Sequence, residues 1–376
     1  RAMKTRVAIL EEMGRPRPYA QSRPLTISEV ELAAPRRGEV LVRIGAAGLC
    51  HSDLSVINGD RPRPTPMALG HEAAGVVEAL GEGVDDLAIG DHVVMVFVPS
   101  CGCCSPCAEG RPALCEPAAK ANGAGEMLGG GRRIARAGAP VHHHLGVSAF
   151  AEHAVVSRRS LVKVPGDLPL VEAALFGCAV LTGVGAVANT ARIAPGSSVA
   201  VIGLGGVGLA ALLGAVAAGA ARIVAIDLEP AKLAMARQLG ASDTVDARAA
   251  DAVEQVKTLT AGGVDAAFEM AGSAKALELA WAITRRGGTT VTAGLPNPSQ
   301  RLALPPVQLV AEERTLKGSY VGSCVPSRDI PRYVALYRAG RLPVDRLLGE
   351  TLALDDINAA FDRLADGKTV RQVIAF

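Results

Sequence analysis

The chain has 376 residues, of which 49% are hydrophobic, 20% charged and 3% aromatic, and its formal net charge is +2. That length favours two medium domains or one large one, and the apolar content excludes a disordered chain. The scattered Lys and Arg offer no basic face for nucleic acid.

The opening Arg1-Ala2 reads as a remnant ahead of Met3, and no export signal is apparent. Short apolar runs at 5–10, 25–32, 40–44, 75–80 and 92–98, separated by Gly, Pro and Asp, predict a β-rich first part to about residue 165. The Pro-rich spacer 61–66 and the weakly patterned, Gly-rich stretch 117–140 read as loops. Within this part, Gly48-Leu49-Cys50-His51-Ser52-Asp53 and Gly70-His71-Glu72 gather thiol, imidazole and carboxylate. Taken alone, they fit either a metal centre or an ordinary buried Cys and a hydrogen-bonded core His.

Four of the eight cysteines follow the spacing Cys101-x2-Cys104-x2-Cys107-x7-Cys115. Four soft ligands so close in sequence suit a closed tetrahedral Zn²⁺, which leaves no position for substrate and is therefore structural. Cys103 sits among them, but its use would break the even spacing, so it reads as a bystander thiol. Thiolates on a metal and no export signal lead to the cytoplasm as the expected compartment.

From about residue 170 the pattern alternates. Strands are predicted at 199–202, 223–226, 243–245, 265–269, 289–292 and 315–319, with helical stretches between the first five and a mostly irregular segment before the sixth. This is the pattern of an α/β doubly wound parallel sheet. The charge-free stretch 199–221 is long enough to cross a bilayer, but its glycines and its change of period read as strand, turn and helix. Gly203-x-Gly205-x-x-Gly208 closes that strand and opens that helix, and Asp227 ends the next strand nineteen residues later. Glycines there permit the tight turn, backbone approach to a pyrophosphate and close helix packing, so the site is expected to take a dinucleotide. Asp227 can accept ribose hydroxyls and would repel a 2′-phosphate, and Leu228 stands where Arg would suit NADP, so NAD is expected. The tail predicts helices at 328–338 and 354–365 and a strand at 371–375. Trp281, Cys324 and Glu269 attract no functional role.

Several of these motifs together resemble the zinc-containing medium-chain alcohol dehydrogenases over essentially the whole chain. The residues that carry the resemblance are Gly70-His71-Glu72-x2-Gly75-x5-Gly81-x2-Val84, Cys50 to Asp53, the four-cysteine lobe, Cys178 before Leu181-Thr182-Gly183, the Gly203–Gly208 loop, and Gly367-Lys368-Thr369-Val370-Arg371. The resemblance implies a β-rich GroES-like catalytic domain at 1–179 and 321–376, with a zinc lobe at about 100–116, and a six-stranded Rossmann NAD-binding domain at 180–320. It implies two Zn²⁺ per chain, the catalytic one on Cys50, His71 and Cys178, a choice that spacing alone would not make for Cys178. Asp53 would orient His71, Glu72 would support the same centre, and Ser52 would take the alcohol proton. The next relay position, often His in the family, is Ser55 here. His51 and Arg371 match pyrophosphate contacts, Lys232 a ribose contact, and Thr182 and Val207 residues against the nicotinamide, with Gly206 in the phosphate loop.

By the same resemblance Arg61, Phe97, His144, Leu145, Leu295 and Val321 line the substrate pocket, and His142-His143-His144 reads as pocket loop and not as a metal tract. The implied reaction is hydride transfer between a primary aliphatic or aromatic alcohol and NAD, reversible from the aldehyde or ketone. The long segment 116–148 is typical of the dimeric members, so a homodimer is expected, without nucleic-acid or membrane partners. One alternative is oxidation of a formaldehyde–thiol adduct, against which stands Glu116-Pro117-Ala118-Ala119-Lys120, without the Arg usual after the lobe in glutathione-using members. Polyol dehydrogenases typically place Glu at Cys178, and zinc-free quinone reductases lack the ligands. An alternative of another class is a non-catalytic NAD-binding protein.

Overall fold

The computed structural model describes residues 2–376 and divides into two compact units. The first contains residues 2–178, 325–332 and 348–376; the second contains 179–324 and 333–347. The expected division at 179/180 and 320/321 differs at its C-terminal side. There, residues 321–324 and 333–347, the latter including the last six residues of the helix Pro326–Arg338, group with the second unit.

In the first unit, Met3–Leu10, Leu25–Leu32, Ile134–Arg136, Ala139–His143 and Met67–Ala68 close a small barrel. Val7, Ile9, Val30, Leu32, Ile134 and Val141 fill it. Beside it, a sheet runs in the order Leu161–Lys163, His92–Met95, Glu72–Leu80, Glu39–Gly48, Arg371–Ala375, Leu348–Leu352, with His153–Ser157 also on Glu39–Gly48. The stretch 117–140 is not the expected loop: it contains the helix Glu116–Ala124 and most of a hairpin, Ile134–Arg136 with Ala139–His143. Pro117 at the first helical turn and Gly125 in the left-handed region at φ 67° start and stop that helix.

The second unit is a six-stranded parallel sheet in the order Asp243–Asp246, Arg222–Asp227, Ser198–Ile202, Val264–Glu269, Thr284–Thr292, Thr315–Gly318. The order reverses at Ser198–Ile202, the strand that feeds the glycine loop. Its central strands are apolar runs such as Val199–Ile202 because helices cover both faces. The segment expected to be irregular before the sixth strand contains a short helix, Pro306–Ala311. The stretch 199–221 is strand and helix, and no single helix among the described residues is long and apolar enough to cross a membrane.

Candidate functional site

Sheet register assembles the first cluster. Glu39–Gly48 and Glu72–Leu80 are antiparallel with Gly48 opposite Glu72, so Cys50, just past one strand, meets His71, just before the other. Cys178 follows the turn Ala174–Gly177, which packs so tightly on Met95 that a Cβ at Gly177 would strike its carbonyl. The ligand atoms of Cys50, His71 and Cys178 lie within 4.8 Å of one another, and all three residues are buried.

The ring of His71 is fixed from one side only. Its Nδ1 is 2.9 Å from Asp53 Oδ1, whereas its buried Nε2 has no hydrogen-bond partner. An orphan imidazole nitrogen beside two thiols, with its other nitrogen on a carboxylate, fits a zinc ligand set that leaves one position open. Cys50 is drawn well below the usual thiol range, first by its hydrogen bond with Cys178, whose own thiol is pushed well up. Burial opposes the charging of His71, but Asp53 and Cys50 outweigh it and hold it up at about 10. A metal at Nε2 would take the place of that proton, and its binding to the thiols would release theirs.

Asp53 sits in the first turn of the helix His51–Ile57. Its Oδ2 accepts from the Cys50 N–H at 3.0 Å, closing a capping box. The Asp53 side chain is fully buried, which pushes its carboxyl up against the pull of His71. Below it, Arg371 forks onto Glu72 at 2.9 and 2.7 Å, both side chains buried. Gly48 makes room for that carboxylate, since a Cβ there would strike Glu72 Oε1. Arg371, expected on a pyrophosphate, is engaged in this pair. Nothing local in the sequence points to the pairing, whose partners are 299 positions apart.

The rings of Phe97 and His144 stand edge-on to His71, with centroids at 5.1 and 5.5 Å. Leu145 is buried nearby in the chain, Arg61 and Ser52 are half-buried, and His51 is exposed, its carbonyl accepting from Ser55 Oγ at 2.9 Å. Burial, reinforced by the charge of His71, holds His144 neutral, far below the usual imidazole range. His143 points elsewhere, its Nε2 accepting from the Arg133 N–H at 2.8 Å, and His142 Nδ1 lies 3.0 Å from the Pro66 carbonyl. The three histidine side chains therefore diverge, and His144 alone groups with Asp53 and His71.

The four-cysteine lobe brings Cys101, Cys104, Cys107 and Cys115 within 4.8 Å. Cys101 Sγ accepts from the N–H groups of Cys103 and Cys104 at 3.5 and 3.3 Å, and these bonds hold its thiol down at about 6. Burial pushes Cys107 up to about 12. Cys103 is exposed, its Sγ 3.7 Å from that of Cys101, outside the four-sulfur cluster. A closed set of four thiols with N–H···S support suits a structural zinc.

In the second unit, Gly203 turns at φ 87°, and a Cβ at Gly208 would overlap the Gly203 carbonyl. A Cβ at Gly205 would meet nothing within 4 Å, so open space lies over the start of the helix Gly206–Ala217, which no side chain caps. Uncapped N–H groups facing open space fit the pyrophosphate of a dinucleotide. Asp227 is fixed at the next strand end by the N–H groups of Leu204 and Glu229, at 2.7 and 2.9 Å, beside exposed Leu228. Val207 and Lys232 are half-buried, Thr182 and Val321 are buried, and Leu295 is half-exposed.

Comparison with known proteins agrees with this chemistry. The alcohol dehydrogenase GroES-like domain family matches residues 36–166, and the zinc-binding dehydrogenase family matches 206–339. An S-(hydroxymethyl)glutathione dehydrogenase of Synechocystis is 39% identical, with all of both chains covered. Among solved structures, an alcohol dehydrogenase zinc-binding domain protein from Burkholderia ambifaria has TM-score 0.94 and 36% identity, with full coverage of both chains. Benzyl alcohol dehydrogenase from Acinetobacter calcoaceticus has TM-score 0.93 and 32% identity, covering 100% of this chain and 99% of the other.

Proposed function

The chain belongs to the zinc-dependent medium-chain alcohol dehydrogenases, and on that premise we propose that it oxidises an uncharged primary alcohol, benzylic or aliphatic, with NAD. It is a zinc- and NAD(P)-dependent oxidoreductase. The finer reading rests on one observation above all: two buried thiols and an imidazole whose Nε2 has no protein partner. Cys50, His71 and Cys178 would hold the catalytic zinc, and Cys101, Cys104, Cys107 and Cys115 the structural one. Bound zinc supplies a Lewis acid for an alcohol or carbonyl oxygen, and the nicotinamide ring accepts or returns the hydride. Two thiolates and a neutral imidazole cancel the charge of the ion.

Asp53 keeps the His71 ring in the tautomer that leaves Nε2 bare. Ser52 Oγ would take the proton that the alcohol hydroxyl loses. Phe97 and Leu145 offer that oxygen's substituent an apolar wall. The Gly203, Gly205, Gly206, Val207 and Gly208 loop would hold the pyrophosphate, and Asp227 the adenosine ribose. The fixed Asp227 carboxylate and the absence of a cation at Leu228 support NAD over NADP. His51, Lys232 and Thr182 are proposed as further cofactor contacts.

A second reading is favoured by names: relatives at 39% and 37% identity over the whole chain are called S-(hydroxymethyl)glutathione dehydrogenases. That name favours the thiol adduct over a simple alcohol. Phe97 packed on His71, and the exposed Glu116 and Lys120 with no Arg among residues 116–120, support the simple alcohol. Initial rates of NADH formation on benzylic, aliphatic and secondary alcohols, beside the glutathione adduct of formaldehyde, decide between them. Turnover of the adduct alone would overturn the first reading.

A homodimer is proposed on the edge strand Thr315–Gly318 and the neighbouring exposed Val307 and Val310. Residence in the cytoplasm is proposed on the metal-ligand spacing of the lobe cysteines, which suits thiolates rather than disulfides.

A further inference from the structure

We infer that His144 is a positioning residue for the zinc centre, its Nδ1–H serving as a second donor to the Asp53 oxygen that orients His71. The inference rests on the zinc site proposed above.

Asp53 accepts one bond on each oxygen: Oδ2 from the Cys50 N–H and Oδ1 from His71 Nδ1. A buried carboxylate oxygen has room for a second donor, and burial works against its charge until it finds one. His144 Nδ1 stands 3.5 Å from that same Oδ1, is itself buried, and has no hydrogen-bond partner. A shift of about half an ångström brings the pair to ordinary bonding distance. A neutral imidazole carries one N–H, and the carboxylate decides where it sits: a lone pair on Nδ1 facing Oδ1 is repelled, a proton there is attracted. The same reasoning places the His71 proton on Nδ1, so both rings would turn an N–H to one oxygen.

The backbone holds His144 for this task. Its N–H donates to Ser148 Oγ at 2.9 Å, and its carbonyl accepts from Val147 and Ser148 at 3.0 and 3.2 Å. Leu145 and Ser148 both lie in the left-handed region, at φ 54° and 52°. Two non-glycine residues held there within one short turn show a loop whose shape is imposed by its surroundings. The ring so placed is 2% exposed and packs edge-on to the ligand ring itself. A phenyl ring would supply that packing equally well, but it would supply no proton to Asp53.

That contrast sets the test. Zinc-loaded wild type, His144→Phe and His144→Asn are titrated with a chromogenic chelator, with the four-cysteine lobe as the internal reference phase. Phe keeps the volume and loses the donor, whereas Asn loses volume and keeps an N–H near the Nδ1 position. The expected result is about tenfold weaker zinc at the catalytic site in His144→Phe, with His144→Asn within about twofold of wild type. Unchanged affinity in His144→Phe, or an equal loss in both variants, overturns the role. Nitrogen NMR of selectively labelled histidines in the wild-type holoenzyme needs no variant: a protonated Nδ1 on His144 is expected, and a bare Nδ1 contradicts the inference. Absence of the catalytic phase from wild type would instead contradict the zinc site itself.

Discussion

The two sulfur-rich clusters of the first unit differ in how they are built. The lobe takes all four ligands from fifteen consecutive residues, partly exposed, with backbone N–H groups bonded to sulfur. The other proposed centre takes three buried candidate ligands from three separate segments, brought together by the pairing of Gly48 with Glu72 and by the close packing of Gly177. A local set can close around an ion using its own turn. A set held by the sheet can leave a coordination position open, because the frame, and not the ion, keeps the ligands apart. The buried centre would therefore need support from outside its ligands; Asp53 bonds His71, and the Glu72–Arg371 pair is proposed to stiffen the strand beside it.

Removing one proposed ligand from each cluster separates the two most strongly. Cys178→Ala is expected to lower kcat by on the order of a thousandfold or more while thermal unfolding stays close to wild type; steady-state rates and calorimetry check both. Ser52→Ala is expected to lose about 10²–10⁴-fold in turnover with its metal content unchanged, since Ser52 is no ligand. Cys104→Ser should do the reverse of Cys178→Ala, losing about 4 kcal/mol of stability or more while the buried centre still takes up metal; denaturant unfolding with metal analysis reads both. Glu72→Ala tests whether the frame holds the buried centre. It leaves the Arg371 charge buried and unpaired and should cost about 3–5 kcal/mol, with weaker catalytic zinc but an unaffected lobe. The smallest effect belongs to Cys103→Ser. The lobe should keep its zinc and its stability to within about 0.5 kcal/mol, and loss of the ion in this variant would make Cys103 a ligand.

The same contrast decided what could be read from the sequence. The lobe was legible residue by residue, as was the glycine loop with Asp227, because each is local and its spacing carries its geometry. Cys50 and His71 remained ambiguous on their own chemistry, and lone Cys178 became a candidate only through the family resemblance, because sheet register and packing bring it in. The Glu72–Arg371 pair was not legible either: each residue drew a separate expectation, and only the pairing of Arg371–Ala375 with Glu39–Gly48 sets them together. The helix Glu116–Ala124 is not legible for another reason. Its start and stop signals, Pro117 and Gly125, stand in the sequence, but its alanine-rich body carries no amphipathic period. The paired strands Ile134–Arg136 and Ala139–His143 are too short to show alternation.

Elemental analysis of zinc per chain in wild type and Cys178→Ala tests directly whether the buried cluster holds a catalytic zinc distinct from the lobe zinc. Two zinc ions per chain are expected in wild type and one in the variant, together with loss of alcohol oxidation. One ion in both proteins, or two in both, would contradict that assignment.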